Sequence, residues 1–62
     1  MRTKEVMAYY EKTSKVQGVD QAKLAQAKQL LDDAMKKHES GHHRASIDET
    51  ADAMRLITQS RP

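Results

Sequence analysis

The chain has 62 residues, is 37% hydrophobic and 32% charged with a formal net charge of +2, and contains no Cys, Phe or Trp. A domain of this length buries only about 60% of the surface its unfolded chain exposes, and without cysteine both disulfides and thiolate metal sites are excluded. The N-terminal stretch MRTKEVMAYYEK is charged throughout, with no apolar segment of the signal-peptide or membrane-spanning kind, so a cytoplasmic protein without membrane contact is expected.

Gly18, Gly41 and Pro62 are the only punctuation, and the stretches between them are rich in the helix formers Ala, Lys, Gln, Glu, Leu and Met. Strand signals are missing. The expected fold is all-α: a short helical hairpin or three-helix bundle, one small domain over residues 1–62 with helices at about 3–17, 21–38 and 43–59.

For the first helix, Thr3 is a possible N-cap and Gly18 stands where a left-handed residue ends a helix. Val6, Tyr10 and Thr13 fall on one side, flanked by Met7 and Tyr9 and extended by Val16 or Gln17.

The second helix carries the clearest signals. Asp20 is a strong N-cap, and Val19 before it is placed to staple against Leu24. Leu24, Ala27, Leu31, Ala34 or Met35, and His38 then follow a three-four spacing. Asp32 to Lys36 and Asp33 to Lys37 are acid-first i,i+4 pairs, and the lysines lie near the helix C-terminus, where the macrodipole favours cations.

In the third helix Ile47, Ala51, Met54 and Ile57 or Thr58 share a face, with Ala53 and Leu56 beside it. Two starts compete: Ser40 capping a helix that begins near Gly41, or Ser46-Ile47-Asp48-Glu49 as a capping box. The early start is preferred, since it leaves the short connection usual between antiparallel neighbours.

From about Leu30 to Ile57 the pattern, with Ala34, the turn glycine Gly41, small Ser46 and Ala53-Met54, resembles the helix pair of a single tetratricopeptide repeat. It departs from that family where an aromatic is expected, at His43 and Thr50. The same stretch is also similar to small histidine-rich metal-binding helical proteins, which share an Ala-rich hairpin and a Gly-His turn. Both resemblances imply an antiparallel helical hairpin and cover under half the chain.

Residues 38–42 spell H-E-x-x-H, which in zinc proteases places two imidazoles on a metal with the glutamate as general base. That chemistry needs one continuous helix, and Gly41 inside the motif is the residue preferred just past a helix end. A third ligand and a walled cleft are also more than so short a chain supplies. A turn that gathers His38, His42 and His43 is still a candidate for Zn, Ni or Cu without catalysis. The competing reading is a polar turn in which His38 favours the helix dipole. The chain has no Gly-rich phosphate loop and no G-x-S-x-G, and the acids Asp48, Glu49 and Asp52 read as a solvated face. No enzyme is expected.

Residues 1–28 hold six Lys and Arg against three acids, residues 29–62 five against six. With Tyr9 or Tyr10 as stacking surfaces, Lys4, Lys12, Lys15, Lys23 and Lys28 admit a basic nucleic-acid accessory, but Glu5, Glu11 and Asp20 interrupt them and base-reading arginines are sparse. The leading expectation is a non-catalytic regulator or adaptor that binds a protein partner through a helical face. Its contact residues would be Met7, Tyr9, Tyr10, Leu30 and Met35, with Tyr9 and Tyr10 as anchors, and no cofactor. So thin a core calls for a further support, and completion by homodimerisation is expected to bury Leu24, Leu31, Met35, Ile47, Met54 and Ile57.

Overall fold

The computed structural model describes residues 3–62. Three α-helices follow one another: α1 (Thr3–Ser14), α2 (Gln21–Glu39) and α3 (His43–Ser60), with no strand among the described residues. Thr3 bonds Thr50 and Tyr9 bonds Thr58 through their side chains, so α1 runs parallel to α3 and antiparallel to α2. The result is an up-down-up bundle in which α2 and α3 form the hairpin and α1 lies against both. No described helix is long and apolar enough to cross a membrane.

Local chemistry explains the helix ends. Asp20, in extended conformation, accepts hydrogen bonds at Oδ1 from the amides of Ala22 and Lys23, two of the donors a helix start leaves unpaired. Val19 and Leu24 are both buried in the core, as a hydrophobic staple requires. Helix α1 stops at Ser14, three residues short of the expected end, because Lys15 and Val16 donate to carbonyls three residues back and tighten the chain into a turn. Gly18 (φ 87°) and Gly41 (φ 85°) take the left-handed conformation that reverses the chain at each connection.

Two expected caps are corrected. Thr3 already belongs to α1 and its hydroxyl bonds Thr50. Ser40 closes α2, with both its amide and its hydroxyl donating to the Lys36 carbonyl. Helix α3 takes the early start, so Ser46 lies inside it and caps nothing.

The core consists of Val6, Val19, Leu24, Ala27, Leu31, Ala53 and Ile57. Ala27, Ala34 and Ala53 are fully enclosed, so neighbouring helices approach closely along their backbones. The buried face of α3 is Ser46, Thr50, Ala53, Ile57 and Ser60, not Ile47, Ala51, Met54 and Thr58. The helix is rotated by about one residue, or about 100°, from the face its apolar residues suggest. The cause is the narrow seam against α2 and α1, which admits small side chains. Two of its three hydroxyls bond within the helix: Thr50 donates to the Ser46 carbonyl at 2.7 Å and Ser60 to the Ile57 carbonyl at 2.6 Å. Of the residues expected to be buried in a dimer, the single chain already encloses Leu24, Leu31 and Ile57, half-covers Met35, and leaves Ile47 at 51% and Met54 at 38% exposure.

The rotation has a direct stability signature. Ile57→Ala should cost about 2–5 kcal/mol and Ile47→Ala less than about 0.5 kcal/mol in urea unfolding of dilute protein; equal costs would contradict the burial described. Thr13 is fully buried and its hydroxyl has no hydrogen-bond partner. Thr13→Val keeps the shape and removes the orphaned group, so it should raise stability by about 1 kcal/mol in the same assay.

Candidate functional site

The two ends of the bundle differ. At one, the loop before α2 is clipped to the end of α3 by the Asp20 amide on the Ser60 carbonyl (2.8 Å), and Gly18 packs near Pro62. At the other, α1 begins at Thr3, 3.0 Å from Thr50 between hydroxyl oxygens, while α3 begins seven residues earlier at His43. The last turn of α2 and the first of α3 therefore run past α1. They leave an open cleft of about 730 Å³ lined by Thr3, Lys4, Met35, His38, Glu39, His43, Ser46 and Ile47. Met35 and Ile47 supply its apolar surface, and Lys4, Glu39 and the two histidines its polar groups.

The hairpin turn sets the histidine geometry. Ser40 donates to Lys36, Gly41 to His38 and His42 to Lys37 through the backbone. His38 is thus in the last turn of α2, His42 in the connection, and His43 opens α3. The H-E-x-x-H string is split by the turn, so its two histidines do not share a helix. Instead His38 meets His43: their Nδ1 atoms are 3.2 Å apart and the rings stand edge to face, 4.9 Å between centroids. Both are exposed, and His42 does not line the cleft. Among the described residues no three His, Cys, Asp or Glu side chains converge into a ready-made metal set.

Lys37 ties the two helices of the hairpin together near the turn. It pairs with Asp33 one turn back at 3.0 Å and with Glu49 across on α3. Glu49 first and Asp33 second hold the Lys37 ammonium above its ordinary pKa, and the Lys37 hydrogen bond holds the Asp33 carboxyl below the usual carboxylate value. Asp52 pairs with Arg55 at 3.6 Å, so Glu49 and Asp52 serve different cations and do not form a carboxylate pair.

The other expected contact residues lie elsewhere. Met7, Tyr9, Tyr10 and Leu30 are half-buried and packed on the core of their own chain, and only Met35 reaches the cleft. The Tyr9 hydroxyl is 3.1 Å from the Thr58 hydroxyl and its ring lies under the Arg61 guanidinium, 5.6 Å from the centroid. The Thr58 hydrogen bond, with Arg61 adding to it, holds the Tyr9 phenol below its ordinary pKa. Tyr9 thus fastens α1 to the end of α3, and Tyr10 packs on the core. The spacing of Ile47 sets it on the apolar face of α3, expected to be covered in a dimer; on the single chain it is 51% exposed and lines the cleft. No protein-family model, curated protein or solved structure matches the chain.

Because Asp33 is depressed in the folded chain, its pairing contributes above the unfolded-state carboxyl pKa and is lost as pH falls through the lower folded value. Lys37→Met should move the Asp33 midpoint up toward the ordinary carboxylate value in a carboxyl NMR titration; an unmoved midpoint would remove Lys37 as the cause.

Proposed function

We propose that this chain is a non-catalytic protein-binding module, a small regulator or adaptor that acts by helix contact, first of all with a second copy of itself. The observation that supports this reading is the uncovered apolar strip Met35–Ile47–Met54: Ile47 and Met54 are the exposed large hydrophobic residues of the described chain, and the first borders the open cleft. The whole chain exposes 4405 Å², about a tenth more than the roughly 4000 Å² a folded monomer of its 7.0 kDa mass presents. The surplus is in keeping with a surface left for another chain, and this strip is where the exposed large apolar side chains lie.

A second copy suits the strip because α3 carries a balanced set of exposed charges, Arg44 and Arg55 with Asp48 and Asp52. A two-fold contact places the same surface on both sides, so a helix of one sign would repel itself while this one pairs opposite signs. The contact residues then become Met35, Ile47 and Met54. Met7, Tyr9, Tyr10 and Leu30 pack on the core of their own chain.

Sedimentation equilibrium across a wide concentration range tests the reading. The wild-type chain should pass from monomer to dimer, and Ile47→Asp should stay monomeric at the same concentrations while its unfolding free energy in dilute solution changes by less than about 0.5 kcal/mol. A wild-type chain that remains monomeric throughout would overturn self-association.

A further inference from the structure

We infer that His38 and His43 form a two-point chelate for a borderline transition-metal ion, Ni²⁺, Cu²⁺ or Zn²⁺, at the mouth of the open cleft. The separation of the two nitrogens carries the argument. Imidazole nitrogens bind such metals at about 2.0–2.1 Å. Two of them on one ion are therefore about 3.3–3.4 Å apart at the tetrahedral angle and about 2.9 Å apart at a right angle. The Nδ1 atoms of His38 and His43 are already 3.2 Å apart. In the metal-free chain one ring donates its Nδ1 proton to the other; with a metal bound that ring carries its proton on Nε2 instead, and a turn of both rings brings the two Nδ1 lone pairs onto the ion, off the line between them.

The bite is set in advance by the backbone. His38 belongs to the last turn of α2 and His43 to the first of α3, and the three amide bonds of the intervening turn, with Gly41 left-handed at its centre, fix how the two helix ends face each other. Preorganised ligands lose little freedom on binding. Both rings are exposed, so the ion keeps water in its remaining positions, and Glu39, which lines the same cleft, adds a carboxylate to its surroundings. Imidazole donors select these metals over Mg²⁺ and Ca²⁺, which prefer oxygen. His42 is outside the chelate. The site is thus distinct from H-E-x-x-H, whose two histidines are not the two that meet.

Isothermal titration of tag-free protein with NiCl₂ and ZnCl₂, and with MgCl₂ as control, tests the site. It is run on both the wild type and Met54→Lys, which charges the strip away from the cleft, so that metal binding is read apart from self-association. Saturable binding of Ni²⁺ and Zn²⁺ but not Mg²⁺ is expected in both backgrounds. His38→Gln and His43→Gln should each weaken it by roughly tenfold or more, and His42→Gln by far less. Metal should also raise the Tm of the wild type and not that of His38→Gln. Since all three histidines are exposed, the metal-free Tm of each variant should match the wild type. Equal losses in all three variants would mean diffuse histidine binding and overturn the pair, as would wild-type protein that takes up neither metal or binds Mg²⁺ equally well.

Discussion

Helix α1 has twelve residues where α2 has nineteen and α3 eighteen, and this mismatch in length governs the rest of the molecule. At about 1.5 Å per residue α1 is about 10 Å shorter than either neighbour. Two side-chain contacts, Thr3 with Thr50 and Tyr9 with Thr58, fix where it lies along α3. Arg61 over Tyr9 and the Asp20 amide on Ser60 then close one end of the bundle. Among the described residues the difference in length appears at the other end, beside the hairpin turn. The cleft, its apolar surface and its histidines all follow from where α1 begins to cover the hairpin.

The glycine turns and the Asp20 cap were legible from residues alone, whereas the Thr3 and Ser40 caps were not. Asp20 before an Ala- and Leu-rich run, Val19 ahead of it, and glycines at 18 and 41 each have one local physical role, and local roles survive tertiary packing. The face of α3 was not legible in this way. Its apolar residues Ile47 and Met54 lie to one side, while Ser46, Thr50 and Ser60 go inside. A serine or threonine in a helix can return its hydroxyl to a carbonyl of the preceding turn, as Thr50 and Ser60 do, and it is then a small side chain with little polar demand. Where helices are held close by Ala27, Ala34 and Ala53, that smallness decides burial ahead of hydropathy. Periodicity weighs residues by polarity, so it points one position away.

The candidate site divides along the same line. That histidines 38, 42 and 43 cluster is a matter of sequence; which of them meet depends on how many residues the turn spends between helices. Ser40 and Gly41 occupy the turn and His42 the junction with α3, so partners four apart are separated and partners five apart are joined. The tyrosines illustrate the converse. Their size marked them as contact residues, and they do make contacts, but with Thr58, Arg61 and the core of their own chain.

The thin core posed the question of what else holds so small a chain together. Part of the answer is intramolecular. Lys37 joins α2 to α3 through Glu49 while keeping its partner Asp33 within α2, and this cross-link lies near the turn, where the hairpin has no cover from α1. The exposed Lys37–Asp33 pair contributes little, so the hairpin end rests mainly on Lys37 with Glu49, whose side chain is largely covered. It is also the part that leaves Ile47 uncovered and brings His38 to His43. A second chain on the strip or a metal across the two rings would bind the folded hairpin and not the open one, and so would stabilise the molecule by mass action.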